Sequence, residues 1–154
     1  MKGQHMRSWF TVLCASLLFL APLQAPLAQT PALEGAEVGS WNENYIARFA
    51  LTDSIRDREP TRELGHTYVH SGKADQQLLL FTQVTNLPGQ SITHLWFYED
   101  NLEAEVSLPV GSENWRTFSS KHISPQMIGQ WRVLVVGGEQ ELLLEYNFTV
   151  IGAS

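Results

Sequence analysis

Between residues 45 and 151 no apolar run outlasts a single strand, and each run ends in residues that turn the chain. The last run shows the pattern most plainly: Leu142, Leu144, Tyr146, Phe148 and Val150 alternate with Leu143, Glu145, Asn147, Thr149 and Ile151. A repeat of two puts one set on each side of a pleated strand, whereas a helix, with its repeat of about 3.6, would scatter both sets around its axis. Residues 45–51 alternate in the same way, with Tyr45, Ala47, Phe49 and Leu51 opposite Arg48. Residues 78–84 and 92–98 are further apolar runs, joined by the turn Asn86-Leu87-Pro88-Gly89-Gln90. After Asp100-Asn101, Ala104, Val106 and Leu108 alternate with Glu103, Glu105 and Ser107, the signature of a half-exposed strand. Gly111-Ser112-Glu113-Asn114 then turns into residues 115–121, and Ser124-Pro125 opens a single helical turn that reaches Gly129. Residues 131–136 follow, and Gly137-Gly138 suits the positive φ values of a tight hairpin. About seven strands in about 110 residues, without a long helical period, predict an all-β fold, an antiparallel immunoglobulin-like β-sandwich.

The N-terminus has a different texture. Lys2 and Arg7 precede a stretch without charge from residue 8 to residue 33, most apolar at residues 9–23 and rich in Pro and Ala at residues 22–28. A basic start, a short apolar run and a small-residue exit are the parts of a secretory signal. Residues 1–28 are therefore read as a signal peptide cleaved between Ala25 and about Pro31, with an uncleaved membrane anchor as the alternative. The apolar run is shorter than the roughly 20 residues a spanning helix needs. Both readings put the domain outside the cytoplasm: periplasmic or secreted, or anchored and facing outward. Residues 29–44 contain Pro, Gly, Ala and Glu without apolar periodicity and read as a linker, which leaves residues 45–151 as the domain.

Charge narrows the range of partners. The chain carries a net −6, and losing residues 1–28 removes Lys2 and Arg7 but no acid, leaving −8. Sequence-independent nucleic-acid binding, which relies on dense Lys and Arg, is excluded, and so is docking on an anionic lipid surface. Contact with a membrane would come only through an uncleaved N-terminal segment. The only cysteine, Cys14, lies inside the apolar signal core. The exported domain thus has no disulfide, no thiol nucleophile and no thiolate metal site.

Several motifs follow one another in a fixed order: Arg56-Asp57-Arg58-Glu59-Pro60, Phe81-Thr82-Gln83-Val84-Thr85-Asn86-Leu87, Thr93-His94-Leu95-Trp96-Phe97-Tyr98, Trp115-Arg116-Thr117-Phe118-Ser119-Ser120-Lys121 and Gly129-Gln130-Trp131-Arg132-Val133. In this succession the chain resembles the bacterial domain of unknown function 2914, over roughly residues 45–151. The resemblance implies an extracytoplasmic domain and hands over no catalytic residues. Such domains are often attached to longer membrane or multidomain chains, so a domain standing nearly alone is expected to meet its partners as separate molecules.

Chemistry has little to work with. His66 and His70 have the spacing of a helical zinc pair, but Gly65 and Ser71-Gly72 flank them, and on a strand they would sit roughly 13 Å apart, too far to share an ion. Gly89-Gln90-Ser91-Ile92-Thr93 lacks the last glycine of a nucleophile elbow and lies between strands. Phosphate loops and dinucleotide fingerprints are absent, and no cofactor is called for. The carboxylates Glu99, Asp100, Glu103 and Glu105, and Asp53, Asp57 and Glu59, read as solvated faces ahead of calcium ligands or a catalytic pair.

The candidate ligand-binding residues are His94, Trp96, Tyr98, Arg116, Lys121 and Arg132. His94, Trp96 and Tyr98 share one strand face, with Leu95 and Phe97 on the other. Since both faces are bulky, the first is either core, the favoured reading for Trp96, or an aromatic platform. Arg116, Lys121 and Arg132 either gather at a small anion site or pair with local acids, pairing being favoured. The sequence as a whole reads as an exported, non-catalytic binding module of the cell envelope whose partner is a protein or a polysaccharide. A hydrolase with an unrecognised site and a structural spacer are the rival readings.

Overall fold

The computed structural model describes residues 39–154, so the segment read as a signal lies outside the described residues. Among these residues there are strands and turns but no helix. The strands are β1 (Ser40–Trp41), β2 (Ile46–Thr52), β3 (Ile55–Arg56), β4 (Glu59–Pro60) and β5 (Thr67–His70). They continue with β6 (Gln76–Thr85), β7 (Ser91–Tyr98), β8 (Asn101–Pro109), β9 (Asn114–Ile123), β10 (Gly129–Val136) and β11 (Leu142–Gly152). The seven long ones, β2 and β6 to β11, coincide with the seven apolar or alternating runs of the sequence. The other four have two to four residues each, too few to show a period.

Two sheets face each other. The smaller has the order β2-β6-β9, and the larger has the order β1-β11-β10-β7-β8, with β5 also pairing with β11. Neighbours are antiparallel except β5, which runs parallel to β11 with Thr67 opposite Thr149 and His70 opposite Gly152. The chain passes back and forth between the sheets: β2 in one, β5 in the other, β6 back, then β7 and β8, β9 alone, and finally β10 and β11. This is an immunoglobulin-like β-sandwich. Ser40 and Trp41, in the stretch read as a linker, pair with Glu145 and Leu144, and Trp41 packs edge-on against Phe49 with ring centroids 5.4 Å apart.

Alternation decides what lies between the sheets. From β6 come Leu78, Leu80, Thr82 and Val84, from β7 Ile92, His94 and Trp96, from β10 Trp131, Val133 and Val135, and from β11 Leu144, Tyr146, Phe148 and Val150. All are buried. At the centre Trp131 stacks on Phe148, centroids 6.0 Å apart, and Trp96 meets the same ring edge-on at 6.4 Å.

Two expectations about turns need correction. Ser124 to Met127 is a turn closed by one hydrogen bond, Met127 N–H to Ser124 O at 3.0 Å, and no helical turn follows, because β10 begins at Gly129. In the β10–β11 connection the left-handed residue is Gln140, φ 61°, and not Gly137 or Gly138. Gly137 instead bonds to Glu141 across the loop, N–H to O at 2.8 Å, so the connection is longer than a two-residue hairpin.

Candidate functional site

His94 and Trp96 belong to the interior, each with 0 % exposure, which corrects the aromatic-platform alternative for this face. The smaller sheet offers them polar partners across the core. Trp96 Nε1–H donates to Ser119 Oγ at 2.9 Å, and Ser119 Oγ lies 2.8 Å from His94 Nδ1, while His94 Nε2 lies 3.3 Å from Thr82 Oγ1. All three groups are satisfied when Ser119, already accepting from the indole, donates to Nδ1 and His94 carries its proton on Nε2, facing Thr82. Burial pushes the imidazole pKa down to about 3, because the charged form would lose its hydration with no carboxylate in reach. Tyr98, half-buried at the end of the same strand, tilts against Trp131 with centroids 5.0 Å apart and donates from its hydroxyl to Ile128 O at 2.9 Å. This trio serves the architecture.

The three cations do not converge. Arg116 pairs with Glu59 at 2.8 Å on the outer face of β9, and Lys121 pairs with Glu103 at 3.4 Å at the open side between β9 and β8. Arg132 pairs with Asp100 at 3.1 Å on the outer face of β10 and lies over the ring of Phe97, 5.1 Å from its centroid. Its Nε is buried without a hydrogen-bond partner. The two histidines at zinc-like spacing are also occupied separately. His66 Nδ1 meets Asn147 O at 2.7 Å, and His70 donates from Nε2 to Ile123 O at 3.0 Å while its Nδ1 accepts from the Gly72 N–H. Among the described residues no group of three or more His, Cys, Asp or Glu comes together.

With one face of β7 inside, Leu95 and Phe97 point out of the sandwich. Register places Leu95 beside Leu134 and Phe97 beside Arg132 on β10, and Thr93 beside Val136. On the other side Leu95 faces Glu105, and Phe97 faces Leu102 at a β-bulge. Leu95, Phe97, Leu134 and Val136 are half-buried and Leu102 is exposed. The result is an apolar floor across three adjacent strands. At one end it opens into a groove of about 560 Å³ lined by Leu95, Leu102, Val136, Thr93 and Glu105 among others. At the other it meets a cleft of about 220 Å³ lined by Phe97, Arg132, Asp100, Gln130 and Asn147. Antiparallel strands with one wet face normally alternate apolar and polar residues. β7 does not along residues 95–98, nor β10 along residues 133–136, and the continuous apolar character of those two stretches was the signal in the sequence that could have pointed to this face.

Residues 89–150, from the turn before β7 almost to the end of β11, match the model of the family described as protein of unknown function (DUF2914), which supports the resemblance carried by the motifs of β7, β9 and β10. The Arg56–Pro60 and Phe81–Leu87 motifs lie outside that match. No curated protein matches the chain. Among solved structures, the CARDB domain of the PF1109 protein from Pyrococcus furiosus, in complex with di-metal ions, is similar at 10% identity and TM-score 0.42, with 74% of this chain and 100% of that chain covered. A Niemann-Pick type C2 protein from Japanese carpenter ant is similar at 6% identity and TM-score 0.40, with 77% and 98% covered.

Proposed function

We propose that the chain is an exported, non-catalytic binding module of the cell envelope, and that a partner protein seats on the outer face of the larger sheet. The observation that carries this reading is the apolar floor of Leu95, Phe97, Leu102, Leu134 and Val136, uncovered among the described residues and rimmed by Arg132, Asp100, Glu105 and Gln130. An apolar centre inside a polar rim is how protein–protein contacts are built. A polysaccharide fits less well, since its hydroxyls would lose water against leucine and valine side chains that return no hydrogen bond. Covering what remains exposed of these five side chains contributes only a few kcal/mol at about 25 cal/mol per Å², so the contact is reversible. Export is supported by the charge-free stretch from residue 8 to residue 33 and its small-residue exit.

A photo-crosslinking residue at position 95 or 134 tests the reading in cells that export the full chain. Discrete protein adducts are expected, lost when Leu102 and Val136 are changed together to Glu, with the melting temperature held. Adducts to glycan alone, or none at all, would return the module to the polysaccharide or spacer reading. Intact mass of the exported product should show a new N-terminus between Ala25 and about Pro31.

A further inference from the structure

We infer that the outer face of the smaller sheet carries a second site, independent of the first, which takes the carboxylates of an acidic peptide segment in a partner protein. The β3–β4 hairpin lies across this face. Its Glu59 reaches Arg48 of β2 with one carboxylate oxygen and Arg116 of β9 with the other, the second at 2.8 Å. Glu59 thereby spans β6, whose Gln83 lies in register between the two arginines. A third guanidinium, that of Arg58, sits 4.7 Å from the ring centroid of Trp115 and donates one bond to Arg116 O at 3.3 Å. Among the described residues no carboxylate pairs with Arg58, and none of the ion pairs involves Asp57. Two of the three guanidiniums therefore share one carboxylate and the third pairs with none, in a chain whose net charge is −6.

The backbone singles out Arg58 again. Asp57 and Arg58 form the two central residues of the hairpin turn, with φ 53° and 64°. Such a turn favours Asn-Gly, and an arginine in the left-handed region is strained, because its Cβ crowds the following carbonyl oxygen. A side chain kept at that expense, pre-oriented on an indole and unpaired, is poised for an anion brought from outside. Glu59 shows the geometry such a carboxylate would adopt, one oxygen to each of two guanidiniums. Beside Arg116 on the same face of β9 stands Phe118, 43% exposed, which suits an apolar side chain next to the acid. A long polyanion is disfavoured: beyond this cluster it would run along a surface of its own sign, whereas a short acidic segment needs only the cluster.

Fluorescence polarisation with a labelled hexapeptide of glutamates and one leucine, against the full chain at low salt, tests the inference. Saturable binding that weakens with salt and disappears when glutamine replaces glutamate is expected. Arg58→Gly and Arg116→Gln should each weaken it about tenfold or more, since charge-assisted bonds are the strong ones. Arg58→Gly should also melt no lower than the parent, because glycine relieves the turn. Unchanged binding in Arg58→Gly overturns the inference, and a lower melting temperature with binding intact makes Arg58 a fastener of the hairpin. Polygalacturonate binding where the peptide does not would also overturn it, in favour of an acidic glycan.

Discussion

Lowering the pH from 7.5 to 5 should weaken the fold through His94 in particular. In the folded protein this imidazole is fully buried, with a pKa near 3, and in the unfolded chain it returns to about 6.5. A histidine depressed in the folded state binds its proton only on unfolding, so stability is complete above the unfolded pKa and falls as pH drops below it. At pH 5 the unfolded chain gains about 2 kcal/mol from protonating this one residue. The figure depends on the unfolded pKa alone, because the folded value lies far lower. By pH 3, where the folded form also begins to take up its proton, the loss is about 4 kcal/mol, close to the whole stability of the most marginal small domains. Asp53, held below the ordinary carboxylate range chiefly by its hydrogen bond from Arg62, works in the same direction but only below about pH 4, outside this window. Urea unfolding followed by tryptophan fluorescence at pH 7.5 and pH 5 measures the loss. His94→Gln removes the titrating group and leaves the other histidines in place, so the variant should start less stable at pH 7.5 and lose about 2 kcal/mol less on acidification. An equal pH dependence in parent and variant would refute the argument and relocate the acid sensitivity to surface groups.

Two further substitutions separate core from surface. Trp96→Ala removes a fully buried side chain and takes from Ser119 its indole donor, and should cost about 3–5 kcal/mol in a thermal or urea melt, whereas Lys121→Ala, at a partly exposed ion pair, should cost no more than about 1 kcal/mol. Gly129→Ala should destabilise by more than an ordinary surface change: φ is 139° there, and the new methyl would stand 2.1 Å from the Glu99 carboxylate oxygen that accepts from Gln130 N–H. Far-ultraviolet melts of that variant beside Gly138→Ala, where nothing stands in the way of a methyl, check the contrast.

The long strands were legible because an apolar or alternating run bounded by turn residues is a local property, and each of the seven carries its own. Which face of β7 turns inward was not, since His94, Trp96 and Tyr98 are as bulky as Leu95 and Phe97. The choice is made by Thr82 and Ser119, which come from other strands and offer the imidazole and indole the hydrogen bonds that burial demands. The β3–β4 hairpin escaped notice for a related reason. Its turn, Asp57-Arg58, lacks the glycine or asparagine that normally announces two left-handed residues, and its strands are two residues long. Pairing of the cations with local acids was the favoured expectation, and acids stand beside all three, but the identity of Glu59 as the partner of Arg116 depends on how the hairpin lies across the sheet, which no spacing encodes.

The parallel pairing of β5 with β11 gives the domain a mechanical character. Pulled from the N-terminal side of β5 and the C-terminal end of β11, the two strands slide past each other and do not peel apart. The bonds along residues 66–70 and 149–153 then bear the load together, whereas an antiparallel hairpin opens one bond at a time. His70 ties β5 to Ile123 of the opposite sheet as well, so the same load is shared across both layers. Loaded between those two points, the module resists at this seam by shear along the whole pairing.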